Sequence, residues 1–150
     1  SISSDQLPDL FRAIELGGTL PLARIAKSKP KDCKQALDAG AGGIIAPMIE
    51  NAKQLVVVRD ACRWPPAGKR GVGFSRANLF GKYFDEYRKE SQAPLLIAQI
   101  ENINAVNNLA EILQIDGIDV NRRSKKKGHV GSTPLFMACK NGHVDVVLNR

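Results

Sequence analysis

The sequence predicts an α/β fold built on a parallel sheet. Its 150 residues are 43% hydrophobic and 25% charged, which suffices for one domain with its own core and excludes disorder, collagen and coiled coil. Aromatic residues make up only 5% of the chain, which favours layered helices and strands over a β-sandwich. Short apolar runs alternate with amphipathic segments, which is typical of parallel strands joined by right-handed helical crossovers.

The first half of the chain shows this alternation most clearly. Apolar side chains recur at helical spacing before Gly17-Gly18, and a second helical pattern ends at Gly40. A third helix stops at Trp64-Pro65-Pro66, because proline cannot continue a helix. The predicted elements are helix 5–16, strand 20–25, helix 30–37, strand 43–47 and helix 51–62.

The second half continues the pattern after the glycine-rich loop 68–73. Its clearest strand is almost wholly apolar, as expected for a parallel strand that is covered on both faces. The predicted elements are helix 79–87, strand 94–100, helix 104–113 and a fourth strand over 115–119. Polar and basic residues then interrupt the rhythm, so we expect a boundary between about 118 and 122.

The net charge of +7 is concentrated at one end of the chain. Residues 1–118 contribute +2 and residues 119–150 contribute +5, largely through the basic run 122–127. A basic surface over the whole fold is therefore not predicted, and we do not expect nucleic acid as a partner. We interpret the run as a solvated loop or linker, with nuclear targeting or nucleic-acid contact as alternatives.

The three cysteines, Cys33, Cys62 and Cys139, are odd in number and form no CxxC pair. They predict neither a disulfide framework nor a zinc knuckle, and a reduced cytoplasm is the expected location. The sequence has neither an apolar run long enough to span a membrane nor the pattern of a signal peptide, so no membrane partner is expected. Because it begins at Ser1, we expect it to be a piece of a longer protein.

Glu101 closes the most apolar strand and places a carboxylate at its C-terminal end. In parallel α/β folds this end faces the active site, because the loops that follow the strands gather there. Oxygen ligands of this type suit Mg²⁺ or Mn²⁺. The alternative is a carboxylate that faces the N-terminal dipole of the next helix.

Two arginines are further candidates. Arg24 ends the strand 20–25 and is expected at the same rim as Glu101, where a guanidinium can bind a carboxylate or stabilise an oxyanion. The alternative for Arg24 is a surface ion pair, for instance with Asp38. Arg70 lies in a Gly-flanked loop that can approach an anion, but this loop is neither a Walker loop nor a dinucleotide fingerprint.

Several motifs, taken together with Arg24, form a recognisable set. The motifs are Ala36-Leu37-Asp38-Ala39-Gly40-Ala41-Gly42-Gly43, Ala46-Pro47-Met48, Trp64-Pro65-Pro66-Ala67-Gly68-Lys69-Arg70-Gly71-Val72-Gly73, Gln99-Ile100-Glu101 and Ile115-Asp116-Gly117-Ile118-Asp119. In this order and spacing the set closely resembles the HpcH/HpaI aldolases, the metal-dependent class II pyruvate aldolases of the citrate lyase-like group, over about residues 4–119.

The resemblance implies a partial (β/α)₈ barrel and a reaction. Members of the family cleave 2-keto-4-hydroxy acids into pyruvate and an aldehyde, with a divalent metal on the pyruvate enolate, and are typically homo-oligomers. By matching motifs, Glu101 resembles a metal ligand, Gln99 a catalytic neighbour of that site, and Arg24 the arginine that stabilises the enolate oxygen. Asp38 matches an aspartate that reaches a neighbouring subunit's site, and Arg70 is a further candidate for binding the substrate.

Two residues of the family pattern have no match in this sequence. The histidine base belongs to an earlier strand, and neither His129 nor His143 lies in a matching context. The second metal aspartate is replaced by Val120-Asn121-Arg122-Arg123. A complete barrel also needs about 250 residues. We therefore expect weak or absent metal binding, and weak or absent activity, in this chain alone.

The tail resembles a single ankyrin repeat over about residues 119–148. Its apolar segments predict two short helices, at 134–141 and 144–148, and an ankyrin-like hairpin would be a site for a protein partner. We accordingly divide the chain into a partial aldolase domain, 1–119, and a basic linker with one repeat, 120–150. Two alternatives to an aldolase follow: a protein-binding module on a non-catalytic remnant, or a chimera without a selected function.

Overall fold

Three parallel strands form the centre of the fold. The computed structural model describes residues 2–115, 135–140 and 143–148, the last two ranges as backbone. The strands are β1 (Leu22–Arg24), β2 (Gly43–Ala46), β3 (Leu95–Ile100), β4 (Leu135–Lys140) and β5 (His143–Leu148). The helices are α1 (Leu7–Leu16), α2 (Pro30–Asp38), α3 (Ala52–Cys62), α4 (Phe84–Glu90), α5 (Ile103–Asn107) and α6 (Leu109–Ile112), with a 3₁₀ segment at Arg76–Gly81.

The sheet has the order β1-β2-β3-β4-β5, and its first three strands are parallel. Arg24 pairs with Ile45, and Ile45 pairs with Ile97, so these three residues share one face of the sheet. Gln99 lies two residues beyond Ile97 and shares that face, because side chains alternate along a strand. The α/β fold with a parallel sheet is thereby confirmed.

The opposite face of the sheet packs against the helices. Ile44, Ala98 and Ile100 are buried there with the apolar sides of α2 and α3. Leu37 of α2 and Leu55 of α3 are each 1% exposed, so the two helices cover this face closely. This layer explains the near-continuous apolar sequence of β3, which is buried from both sides.

The predictions for α1, α2, α3, β2 and β3 are confirmed within a few residues, and β1 is shorter than expected. Asn51 accepts a 3.0 Å hydrogen bond from the backbone N–H of Gln54 and so caps α3. The helix predicted over 104–113 is divided into α5 and α6 at Asn108. The expected fourth strand falls largely on residues 116–119, and both this part of it and the proposed boundary near 120 lie outside the described residues.

The helix predicted over 79–87 is wrong in its first half. Leu79 and Phe80 have φ values of 47° and 55°, which are left-handed and incompatible with a continuous α-helix. The buried side chain of Asn78 holds this turn, because it accepts hydrogen bonds from the backbone N–H groups of Ser75 and Gly81. Phe80 is consequently 75% exposed rather than part of the core, and the α-helix begins only at Phe84.

The helices predicted for the tail are also wrong. Strands β4 and β5 pair antiparallel with each other, and β4 pairs antiparallel with β3. The backbone of β3 otherwise ends the sheet with unpaired N–H and C=O groups, and an added strand satisfies them. An ankyrin-like helical hairpin is therefore not the structure of these residues. Among the described helices, none has the length and hydropathy needed to cross a bilayer.

Candidate active site

The carboxyl edge of the parallel strands gathers the first group of predicted site residues. Arg24 is the last residue of β1, Gln99 lies near the end of β3, and Glu101 follows β3 directly. Because the three strands run in the same direction, these residues come to one edge of the sheet, as expected from the sequence.

Arg24 and Gln99 are in direct contact across β2. The Nε of Arg24 donates a 2.8 Å hydrogen bond to Oε1 of Gln99. Gln99 is 6% exposed, so a buried amide fixes one side of a guanidinium whose other end reaches solvent. The expected alternative, a pair between Arg24 and Asp38, is not what the structure shows, since Asp38 is bonded to Lys34 instead.

Glu101 is exposed at the start of the loop that leads to α5. Asn102, the next residue, caps α5 by accepting a 2.9 Å hydrogen bond from the N–H of Ala105. The helix is thus capped by an amide. The alternative that Glu101 faces the N-terminal dipole of this helix stays a prediction.

Sequence reasoning missed a second carboxylate on this edge, that of Glu50. It lies in the loop between β2 and α3, where Nδ2 of Asn102 is 3.4 Å from its Oε1. Nδ2 of Asn108 also donates to the backbone carbonyl of Glu50 at 3.0 Å. The signal was present in weaker form, since Glu50 lies in the loop after β2, four residues beyond the last strand residue, Ala46.

The donor set for a metal ion is incomplete in this part of the protein. No three side chains of His, Cys, Asp or Glu come together anywhere in residues 2–115. Mg²⁺ and Mn²⁺ are commonly held by carboxylates together with water or substrate oxygens. Glu101 and Glu50 each bring one carboxylate to this edge. The sequence-based expectation that the family's second metal aspartate is lacking concerns residues 120–123, which lie outside the described residues.

Asp38 and Arg70 form a second group, separate from the first. Asp38 ends α2, which runs back from the carboxyl edge toward the start of β2. Nη1 of Arg70 lies 3.9 Å from Oδ1 of Asp38, and Nζ of Lys34 binds Oδ2 at 2.6 Å. Lys34 also donates to the carbonyl of Gly71, so the loop 68–73 is attached to α2.

The side chain of Arg70 is fully buried. Its Nη2 donates a 2.9 Å hydrogen bond to the hydroxyl of Tyr87, and its guanidinium carbon lies 5.5 Å from the ring centroid of Trp64. Aromatic faces stabilise a desolvated cation in this arrangement. The substrate-binding role of Arg70 stays a prediction, and the contacts present in the structure join the 68–73 loop to α4.

Comparison with known proteins identifies the family to which this chain belongs. Residues 6–121 match the HpcH/HpaI aldolase/citrate lyase family. The chain belongs to that family. It is 42% identical over 113 residues to a 4-hydroxy-2-oxovalerate aldolase of Novosphingobium aromaticivorans, covering 73% of this chain and 42% of that protein. It is also 39% identical over 114 residues to a hydroxypyruvate/pyruvate aldolase of Roseobacter denitrificans, covering 74% of this chain and 44% of the relative.

Solved structures of the same family agree with the fold. An HpcH/HpaI family protein of Burkholderia cenocepacia superposes with a TM-score of 0.67 at 31% identity, covering 73% of this chain and 46% of that one. The HpcH/HpaI aldolase of Desulfitobacterium hafniense superposes with a TM-score of 0.68 at 27% identity, covering 79% and 47%. The chain thus spans less than half the length of the family members it matches.

Proposed function

We propose that the carboxyl edge of this chain binds a small 2-keto acid and contributes to the cleavage of 2-keto-4-hydroxy acids into pyruvate and an aldehyde. The hydrogen bond between Arg24 and Gln99 is the observation that carries this proposal. The names of the family relatives, aldolases of 4-hydroxy-2-oxo acids and of hydroxypyruvate and pyruvate, support the reaction class.

The chemistry requires a cation beside the keto oxygen. When the C4 hydroxyl loses its proton to a base, its oxygen forms the aldehyde C=O as the C3–C4 bond breaks. The electron pair of that bond forms a C2=C3 double bond, and the C2 carbonyl oxygen takes the negative charge as an enolate. A guanidinium held in place beforehand stabilises that charge without reorganising during the reaction. Gln99 engages Nε of Arg24, so the terminal nitrogens of Arg24 are the donors that can reach a keto oxygen or a carboxylate.

The divalent cation on which the family generally depends does not fit the described residues well. Glu101 and Glu50 each bring a carboxylate to this edge, but residues 2–115 bring no group of three His, Cys, Asp or Glu side chains together. No step of the proposed reaction is therefore assigned to a metal in this chain. Weak or absent binding of Mg²⁺ and Mn²⁺ is the corresponding proposal.

Among the described residues, no histidine lies at the carboxyl edge as a candidate for the proton-transfer group. The two histidines are His129, which lies outside the described residues, and His143, the first residue of β5. We therefore propose that this chain alone has little or no aldolase activity, and that the keto-acid site survives without the complete catalytic machinery.

Asp38 and Arg70 lie apart from Arg24 and Glu101, so their proposed roles differ. Asp38 keeps 26% of its side chain exposed, whereas the Arg70 side chain is buried. We propose that Asp38 meets substrate bound to a second copy of the chain, and that Arg70 acts on substrate only through Asp38 and the 68–73 loop.

Binding of pyruvate, measured by isothermal titration calorimetry, tests the keto-acid site. Arg24→Ala should weaken binding at least tenfold, about 1.4 kcal/mol, and Gln99→Leu should weaken it less because the guanidinium remains. Arg12→Ala is the matched control, since Arg12 pairs with Asp9 on the exposed face of α1. Equal pyruvate affinity in the wild type and in Arg24→Ala would contradict the proposed site.

A pyruvate-release assay separately tests the proposal that this chain alone has little or no aldolase activity. With Mg²⁺ or Mn²⁺ and a 2-keto-4-hydroxy acid, the chain should turn over far more slowly than about 1 s⁻¹, the lower end for ordinary enzymes. Turnover at or above that rate would support the reaction class and show that the missing groups are supplied by residues other than those named.

A further inference from the structure

A cavity of about 450 Å³ lies between α2 and α3. Its walls are the first half of α2, the second half of α3 and the loop segment 69–71. Arg24, Gln99 and Glu101 are not among the residues that line it, so it is separate from the carboxyl edge of the sheet. Its volume is within the range of small-molecule sites, so it can hold one small ligand.

The loop segment 69–71 is fixed to both helices by hydrogen bonds. The backbone N–H of Lys69 donates a 2.6 Å hydrogen bond to the carbonyl of Asp60 in α3. On the other side, Nζ of Lys34 in α2 donates to the carbonyl of Gly71 at 3.1 Å. The walls of the cavity are therefore held in place before any ligand enters, which lowers the entropic cost of binding.

The wall of the cavity is largely apolar. Val56, Val57 and Ala61 of α3 line it, together with Pro30 at the start of α2. Val57 keeps 49% of its surface exposed, although valine is among the residues most often buried in folded proteins. An apolar ligand body would remove this surface from water, which favours binding.

Positive side chains surround the apolar wall. The cationic residues of the lining are Lys31, Lys34, Lys69 and Arg70. Asp60 contributes a carboxylate, but Oδ1 of Asp60 already lies 2.8 Å from Nη2 of Arg59. The cavity thus carries an excess of positive charge, which favours an anionic ligand.

Two of the lysines keep donors that the described residues do not use. The ammonium of Lys34 has three N–H donors, of which Asp38 and Gly71 accept two. Nζ of Lys69 lies 3.8 Å from Oδ2 of Asp60, which is longer than a hydrogen bond. Both ammonium groups can therefore donate to the oxygen of a ligand.

The buried charge of Arg70 is only partly compensated. Within residues 2–115, its Nε and Nη1 make no hydrogen bond, and Nη1 is 3.9 Å from Oδ1 of Asp38. Asp38 is bound more closely by Lys34, at 2.6 Å. The side chain of Arg70 has no exposed surface, so it acts on an anion in the cavity at a distance and not by contact. Its field is strong there, because the protein around it screens charge less than water does.

We propose that the cavity between α2 and α3 binds an organic monoanion with an apolar body, such as a medium-chain carboxylate. The body lies against Val56, Val57 and Pro30, and the anionic head is bound by the ammonium groups of the lining lysines. An inorganic anion would leave the apolar wall in water, and a neutral apolar molecule would gain nothing from the positive charge.

Isothermal titration calorimetry of the full chain with hexanoate tests this site. Hexanoate should bind with a Kd at or below about 1 mM. Acetate lacks the apolar body and 1-hexanol lacks the charge, so each should bind at least tenfold more weakly. Absence of saturable hexanoate binding would overturn the proposal, and so would equal affinity of hexanoate and either reference compound.

A pair of double variants tests the role of the lysines. Lys31→Gln combined with Lys69→Gln should weaken hexanoate binding at least tenfold, while Lys34 stays in place to hold Gly71. The matched control is Lys53→Gln combined with Lys89→Gln, which removes the same charge from two exposed lysines outside the cavity. Equal hexanoate affinity in the two double variants would refute recognition by the lining lysines.

A negative charge placed on the apolar wall tests the location of the ligand. Val57→Asp should abolish hexanoate binding, whereas Val106→Asp should leave it unchanged. Val106 is a suitable control because it is 55% exposed, similar to Val57, and does not line the cavity. Wild-type hexanoate affinity in a folded Val57→Asp chain, checked by its urea midpoint, would show that the ligand binds elsewhere.

Amide chemical shifts of the ¹⁵N-labelled wild-type chain locate the ligand without any variant. Hexanoate should move the signals of Lys34, Val57 and Gly71 most. The competing locations are the carboxyl edge at Arg24 and an apolar cavity beside α1, which Leu10 lines. If the largest shifts occur at either of these places, the proposal is wrong.

Discussion

The hydroxyl of Tyr87 accepts a 2.9 Å hydrogen bond from Nη2 of Arg70. This contact joins α4 to the loop 68–73, and the ring of Trp64 packs edge-on against Tyr87 at 5.2 Å between centroids. A cation, two aromatic rings and a phenolic hydroxyl thus form one unit, in which Arg70 and Trp64 are buried and Tyr87 is half-buried. The protonation and packing of these groups contribute to the stability of the fold.

Stability should fall at alkaline pH as Tyr87 ionises. Burial raises the pKa of Tyr87 above its ordinary value of 10.0, and the charge of Arg70 only partly opposes the shift. The stabilisation is fully present below the unfolded-state pKa and is lost as the pH rises through the folded-state value. Urea midpoints measured from about pH 9 to 12 should decline more steeply for the wild type than for Tyr87→Phe.

Absorbance of tyrosinate provides an independent readout for the same residue. The part of the tyrosinate signal that Tyr87→Phe removes should appear only above the ordinary tyrosine pKa of 10.0, because burial raises the pKa of Tyr87. Appearance of that signal at or below pH 10.0 would contradict the raised pKa of Tyr87.

Arg70→Lys should lower the free energy of unfolding by about 3 kcal/mol, because removing one member of a buried charged group leaves the others without a partner. A lysine amine cannot reproduce the planar donors that reach Tyr87 and Asp38. The matched control is Arg59→Lys, whose pair with Asp60 is one-fifth exposed and should change stability by less than about 1 kcal/mol. Similar losses in the two variants, measured by urea unfolding, would contradict this interpretation.

Asn78→Ala should cost about 2 kcal/mol or more of unfolding free energy, because buried backbone groups lose their partners. The amide of Asn78 serves Ser75, Gly81 and the carbonyl of Gly73, so no smaller side chain replaces it. The contrasting variant is Phe80→Gly, in which an exposed, left-handed residue is replaced by one that tolerates the conformation. It should be neutral or stabilising in the same denaturation measurement.

Gly43→Ala should destabilise the sheet by about 1–3 kcal/mol, the usual cost of overpacking. A Cβ on Gly43 would lie 2.7 Å from the carbonyl oxygen of Leu95 and 2.8 Å from Cδ2 of Leu22. The backbone of β3 would therefore have to move, and the Leu22 side chain would have to rotate away. Gly73→Ala is the control, since nothing lies within 4 Å of the equivalent Cβ position. Equal urea midpoints for the two variants would contradict the described packing of β1, β2 and β3.

Removing residues 120–150 should lower the unfolding midpoint and promote aggregation, because β4 pairs with the edge of β3. Thermal unfolding and light scattering of the truncated chain test this expectation. A truncated chain with an unchanged midpoint and no aggregation would support the predicted division into 1–119 and 120–150 as independent units.

Local patterns in the sequence were sufficient for most of the parallel part of the fold. Helical spacing of apolar residues predicted α1, α2 and α3, and the unbroken apolar run predicted β3. The spacing of apolar residues along the chain was sufficient for this, because it indicates whether a segment buries one face or both. The same patterns placed Arg24, Gln99 and Glu101 at strand ends. The C-terminal ends of parallel strands lie at one edge of the sheet, so the location of this candidate site could be predicted without the three-dimensional structure.

Contacts between distant segments required the folded structure. The bond between Arg24 and Gln99 joins residues 75 positions apart and depends on strand register, which no local pattern encodes. The burial of both Cys33 and Cys62 in one core cluster depends on how α2 and α3 pack, which the sequence pattern did not indicate. The strands of the tail depend on the open edge of β3, since backbone pairing with an existing sheet overrides a helical sequence preference.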